Sequence, residues 1–346
     1  MNVKRIFLRS ALLIGAAALL GLTGCNFPDG QGTASASARS IQLKPRQHYE
    51  FIDKQDGLFV TYWEKHYNKG NALMTLSPQG YACFSTYSSS DPTDCNLVCG
   101  KGLAVCNGEI ISWTKGKNAN ATWFGVYGWL QEPLVEYYIG DRKGPGKQIG
   151  TYYTDRGRYT LFVDDTPKRA NILNPTNDPN LPQKFLQLNC YGPGGSPINI
   201  AQHYAAWQIL MKFWPPKAGY EWYPIRKTNY CVVATEAHGN DKTTLSLVEG
   251  IKHEANIIAN PAAQSAPVKG TPLLNPIKMT IVATKSWSIS DWSVPDWVIP
   301  LQRQGNAGVT DVNMWVLPNN TKKQRRANLE IHLDGTDMYT VAQIFQ

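Results

Sequence analysis

From about Gly57 the chain is written in short runs of β-branched and aromatic residues, each closed by Gly, Pro, Asn or Asp. Leu58–Trp63, Tyr81–Tyr87, Ile110–Trp113, Trp123–Trp129, Leu134–Ile139, Gln148–Tyr153, Tyr159–Val163 and Cys231–Thr235 have the length and composition of strands. Many closely spaced strands with turn signals predict an all-β fold, a sandwich or jelly roll. One segment departs from this grammar. Ile200–Phe213 (IAQHYAAWQILMKF) carries apolar residues at helical spacing and is expected to be the single α-helix.

Two of the strand-like stretches each hold a glutamate. YGWLQEPLVEYYIG contains Glu136 and NYCVVATEAHGN contains Glu236. A carboxylate in such an apolar run is costly to bury unless a task needs it there. Alternate side chains of a strand share a face. Glu136 therefore goes with Leu134 and Tyr138, and Tyr127 goes with Trp129 across a turn at Pro133. The predicted hairpin face carries Tyr127, Trp129, Glu136 and Tyr138. Glu236 shares its face with Ala234 and His238, with Tyr230 farther back on the same parity. Two carboxylates remote in sequence but joined in a cleft suffice to break a glycosidic bond: one attacks the anomeric carbon, the other protonates the leaving oxygen. Aromatic rings beside them can stack on sugars, although most Trp and Tyr in strands simply fill a core.

Both stretches resemble the two active-site strands of the family 11 glycoside hydrolases, the β-jelly-roll endo-xylanases. The YGW…PLVEYY pattern is the more specific; ATE gains weight from its place downstream. The resemblance covers roughly residues 57–250. It implies a retaining endo-β-1,4-xylanase with Glu136 as nucleophile and Glu236 as acid/base, their carboxyls about 5–5.5 Å apart, and no metal or organic cofactor. It also implies a substrate-binding role for Tyr127, Trp129, Tyr138, Tyr230 and His238. Trp63 in FVTYWEK resembles the cleft tryptophan of a distal donor subsite. Asn96 in CNLVCGKGL resembles the residue beside the acid/base in members working near neutral pH. Arg169 and Asn171 match the Arg-x-Asn entering the thumb loop, and Gln187 matches the Gln that follows it. The helix has a similar His-x3-Trp in His203 and Trp207. The chain departs from the pattern at the thumb tip, Ile172–Pro182, at Asn189 where a tryptophan is expected, and at Ala237-His238 in place of Gly-Tyr. These departures bear on substrate length, affinity and pH profile. Two other readings remain open. A polysaccharide-binding or adhesion lipoprotein on a disabled scaffold would be favoured by loss of either glutamate, and the altered thumb permits a β-glucanase.

The N-terminus has the form of a lipoprotein signal over residues 1–24. Lys4, Arg5 and Arg9 precede the apolar core Ala11–Leu20, and Leu22-Thr23-Gly24-Cys25 matches a bacterial lipobox with Cys25 as the acylated residue. Acyl chains there would hold the protein on a membrane. Asn26 after the cysteine resembles the outer-membrane default of a Gram-negative cell. Removing the signal lowers the formal charge from +8 to +5, which is no argument for nucleic-acid binding. The run Lys322-Lys323-Gln324-Arg325-Arg326 is expected to be a solvated loop. Six cysteines follow Cys25; an even number in an exported chain favours disulfides over zinc and leaves fifteen connectivities. The expected organisation is a lipidated Cys and flexible tether over 25–56, a jelly-roll catalytic domain over 57–255, a linker over 256–274 and a small β-rich accessory segment over 275–346. Four tryptophans of that segment, Trp287, Trp292, Trp297 and Trp315, are expected to include at least two buried in its core. The protein is expected to be a monomer.

Overall fold

A computed structural model describes residues 39–42, 48–66, 72–85, 95–117, 121–165, 185–214, 222, 224–238, 243–272, 274–321 and 323–346. Contacts divide the chain into Met1–Ser35, which lies outside the described residues, and a compact unit Ala36–Gln346. Cys25, Arg169, Asn171 and the thumb tip also lie outside them, as do the side chains of Asn96 and His238 within described strands.

A nine-stranded sheet organises the first part of the body. Its spatial order is Lys147–Thr154, Gly157–Asp164, Leu186–Tyr191, Val135–Gly140, Trp123–Glu132, Lys227–His238, Cys95–Leu103, Phe59–His66 and His48–Ile52. Neighbours run antiparallel except Val135–Gly140 and Leu186–Tyr191, which are parallel. A five-stranded sheet (Arg39–Gln42, Ala72–Ser77, Gly80–Ser85, Thr243–Glu249, Lys115–Lys117) faces it. Period-two alternation sends Tyr62, Leu97, Val126, Tyr137, Leu188 and Val233 into the shared core. The opposite parity sends Phe59, Val98, Tyr127, Trp129, Tyr138, Tyr230 and Val232 into a second cluster on the other face. The architecture is mostly β and sandwich-like, as the sequence predicts.

The single α-helix among the described residues is Ile200–Leu210, followed by a 3-10 turn, Met211–Phe213. Asn199 caps it by accepting from the Gln202 N–H. Its residues are buried nearly all round, because it lies between the main sheet and the C-terminal sheets. Trp207 and Tyr204 meet Tyr137 with ring centroids 5.1 and 6.1 Å apart, so the helix supports the Glu136 strand from its core side.

Several expectations are corrected. The predicted tether is partly built: Arg39–Gln42 and His48–Ile52 are strands added to the two sheets, held by ladder pairing that apolar periodicity does not reveal. The predicted linker is also built. Ile257–Asn260 pairs with Ile277–Ala283, and Ala263–Ser265 pairs in parallel with Tyr339–Phe345, so the C-terminal sandwich begins near Ile257 rather than 275. It has its own core, around Trp287, Met279, Val312 and Ile331. Of the four tryptophans Trp287 alone is fully buried; Trp297 and Trp315 are half-buried and Trp292 is exposed. Of the basic run, Lys323 and Gln324 are exposed loop residues as expected, while the Arg325 guanidinium sits 4.3 Å over Trp297 and Arg326 opens a strand. The side chains of Cys83, Cys99, Cys106, Cys190 and Cys231 are all buried.

The two parts meet closely at Gly108. A Cβ there would lie 2.6 Å from Val282 Cγ1 and 3.0 Å from Ala201 Cβ, and its φ of +112° is a further reason for glycine. Asn256 bridges the same junction, donating to Asn199 Oδ1 at 2.8 Å and to the Gly108 carbonyl at 3.1 Å.

Candidate active site

The hairpin expected around Glu136 is present. Trp123–Glu132 and Val135–Gly140 pair antiparallel through a turn at the cis Glu132–Pro133 bond, with Glu136 level with Trp129 and Tyr138 level with Tyr127. Gly128 allows this close packing, since a Cβ there would meet the Tyr137 ring and the Tyr230 carbonyl at 2.4 Å. On the other flank, parallel pairing sets Gln187 level with Glu136.

The Glu136 carboxylate is 5% exposed and densely bonded. Tyr127 Oη donates to its Oε1 at 2.9 Å, Tyr138 Oη to the same oxygen at 3.2 Å, and Gln187 Nε2 to Oε2 at 3.2 Å. Trp129 Nε1 donates to Tyr127 Oη at 2.7 Å, which orients that phenol toward the carboxylate. Burial, with the nearby Glu136 charge as a second cause, pushes the Tyr127 hydroxyl well above its ordinary range, so it stays a donor. These three donors are neutral and fix the carboxylate in place.

Glu236 lies on Lys227–His238, which is separated from the Glu136 strand by Trp123–Glu132 alone. It is 8% exposed and of the same parity as Tyr230, Val232 and Ala234, which belong to the cluster containing Tyr127 and Tyr138. Both glutamates thus occupy one face of one sheet. Trp123 joins them. It is level with Glu236 across the ladder, and its ring meets that of Tyr138 edge-on at 5.0 Å, while Tyr138 bonds Glu136. Sequence reasoning did not single out Trp123, although its parity with Tyr127 and Trp129 was the available signal. Phe185, 5.0 Å from Trp129, was also missed because it lies just before its strand.

The remaining expected residues divide. Trp63 is half-buried against the same aromatic cluster. Tyr230 is buried beside Phe59 and Tyr127, at 5.0 and 6.0 Å, and burial pushes its hydroxyl well up. Trp129 is fully buried, so it acts through Tyr127 rather than as an open platform. The backbones of Asn96 and His238 are level with each other, two positions beyond the Glu236–Val98 pair.

The sequence profile of glycosyl hydrolases family 11 matches residues 55–246, more than half of the chain and all of the strands just described around the glutamates. The chain belongs to glycosyl hydrolases family 11. Similar proteins include endo-1,4-beta-xylanase 2 of Humicola insolens, 27% identical over 190 residues, 53% of this chain and 74% of that protein. Ethylene-inducing xylanase 3 of Verticillium longisporum is 29% identical over 223 residues, 59% of this chain and 69% of that protein. A probable endo-1,4-beta-xylanase B of Aspergillus clavatus is 24% identical over 224 residues, 62% of this chain and 91% of that protein. The family 11 match ends before the C-terminal sandwich begins.

Proposed function

We propose that this protein is a retaining endo-β-1,4-xylanase whose catalytic sandwich is a β-jelly roll. The observation that carries the reading is the Glu136 carboxylate, held by Tyr127, Tyr138 and Gln187 on the same sheet face as Glu236. In this reading Glu136 attacks the anomeric carbon and Glu236 gives its proton to the leaving oxygen. A glycosyl-enzyme ester forms, and Glu236 then takes a proton from the water that releases the sugar. Neutral donors suit such a nucleophile. They hold both carboxylate oxygens and can stay in place as the negative charge is lost to the ester.

The test is hydrolysis of a panel of xylans and β-glucans, with NMR of the first-formed anomer. Xylan cleavage releasing the β-anomer is the expected result. An initial α-anomer would refute retention, glucan cleavage alone would move the enzyme to β-glucans, and no release from any polymer would favour a binding protein. We propose in addition that the protein is anchored through acylated Cys25. Mass spectrometry of the mature N-terminus checks this; an unmodified or uncleaved terminus would reject it.

A further inference from the structure

Two pairs of cysteines meet inside the catalytic sandwich. On the core side of the nine-stranded sheet, Cys99 is level with Thr235 of the next strand. In the facing sheet, Cys83 is level with Ser246. Thr235 Oγ1 donates to Ser246 Oγ at 2.6 Å across the gap, and Tyr81 Oη lies 3.1 Å from Thr235 Oγ1. The two sheets are therefore pinned to side-chain contact here, and one strand over, about 4.8 Å away, Cys83 and Cys99 both enter the core between the sheets, where burial and then the neighbouring Cys83 thiol push the Cys99 thiol up. The second pair closes the loop after Cys95–Leu103. The Cys106 N–H donates to the Asn229 carbonyl at 2.9 Å, and Cys231, two residues further along that strand, is level with Leu103. Cys106 and Cys231 lie in the same core, where burial and then the neighbouring Cys231 thiol push the Cys106 thiol up. All four side chains are fully buried.

We propose that these pairs are the sites of two structural disulfides, Cys83–Cys99 between the sheets and Cys106–Cys231 between loop and strand. The oxidant is a disulfide of a carrier protein or small thiol. One cysteine thiolate attacks that disulfide and expels a first carrier thiol; the second thiolate then attacks the mixed disulfide and expels the other. Two cysteine protons and two electrons leave with the carrier as two thiols. Buried thiols are out of an oxidant's reach, so the exchange takes place before the sandwich closes, and the finished bonds resist reductant until the protein unfolds. Both bonds fall behind Glu236: Cys231 is on its strand and Cys99 is on the adjacent one.

The pairing is tested apart from cellular location, which rests on the export reading above. Full-length chain, reduced and unfolded, is refolded in a glutathione redox buffer, blocked with iodoacetamide in denaturant and mapped by peptide mass spectrometry. Expected are one peptide linking Cys83 to Cys99 and one linking Cys106 to Cys231, each about 2 Da below the sum of its parts for the hydrogens lost. Cys190, whose thiol lies against Tyr152 and Trp207, should be alkylated. The same map of Cys106→Ala should retain the Cys83–Cys99 link. The oxidised protein should melt roughly 5–10 °C above the reduced one. Alkylation of all four cysteines, or any other pairing, would overturn the proposal. Correct links in refolded protein but free thiols in protein from cells would uphold the pairing and count against export.

Discussion

The two faces of the nine-stranded sheet both bury carboxylates and treat them in opposite ways. On the core side the fully buried Lys101 Nζ lies 2.9 Å from Asp53 and 2.7 Å from Asp56, and donates to the Ser77 carbonyl at 2.8 Å. There an ammonium neutralises two acids, and the cluster ties a turn and two sheets together. On the other face Glu136 is held by two phenols and an amide. The first arrangement uses its charge for folding. The second meets its carboxylate with uncharged donors at these three contacts, which suits a nucleophile, and accepts the desolvation that burial entails. Substitutions on the core side should therefore fail through stability, and those on the other face through turnover.

The largest effect expected is that of Glu136→Gln. The shape is kept and the nucleophile removed, so kcat should fall by three to four orders of magnitude, roughly 4–5.5 kcal/mol. Its melting temperature should match or exceed that of the parent, because a desolvated charge has gone. Calorimetry beside the xylan assay checks both halves; a large drop in stability with turnover intact would break the contrast between the faces. Lys101→Met is the mirror experiment. It leaves Asp53 and Asp56 buried without their cation, and should destabilise by about 3–5 kcal/mol in denaturant unfolding. Whatever remains folded should keep near-parental kcat; a tenfold loss there would show that the core cluster serves the chemistry.

What the sequence disclosed follows the same division. Glu136, Glu236, Tyr127 and Tyr138 stand out because local parity places them, and strand alternation survives in one dimension. The helix stood out for the same reason, through its own period. Gln187 was reached through the family resemblance alone. The edge strands Arg39–Gln42 and Ala263–Ser265 did not, since their partners lie far along the chain and their residues are polar or small. The Lys101 cluster was invisible too: GKG gives no hint that Asp53 and Asp56 converge on the lysine. Long-range pairing, rather than composition, also moved the start of the C-terminal sandwich back to Ile257.

His203 extends the comparison to pH. It is buried on the core side, its Nδ1 is 2.6 Å from Tyr152 Oη, and burial lowers its pKa to about 3. The unfolded chain takes up this proton near pH 6.5 and the folded protein only near pH 3. The associated stability is thus present above about pH 6.5 and is lost as pH falls toward 3. By pH 4 the loss should be roughly 3 kcal/mol. Denaturant titrations of the parent and His203→Gln at pH 7 and pH 4 check this: the pH 4 penalty should shrink in the variant. An equal penalty in both proteins would assign the acid lability to other groups.

The finest test is Tyr127→Phe, because that hydroxyl serves both purposes at once. It donates to Glu136 at 2.9 Å and accepts from Trp129 Nε1 at 2.7 Å. Removing it takes away a donor that steadies the nucleophile and also strands a buried indole N–H. The chemical part should lower kcat about ten- to a hundredfold, ~1.4–2.7 kcal/mol. The structural part should reduce stability by about 1–2 kcal/mol. Tyr138→Phe separates the two parts, since its hydroxyl donates to the same carboxylate oxygen at 3.2 Å while the Trp129–Tyr127 bond survives. It should lose turnover with a smaller change in stability. If Tyr127→Phe lost stability alone, the phenol would be a strut of the sheet like the core-side cluster, and the distinction between the two faces would fail at the residue nearest the nucleophile.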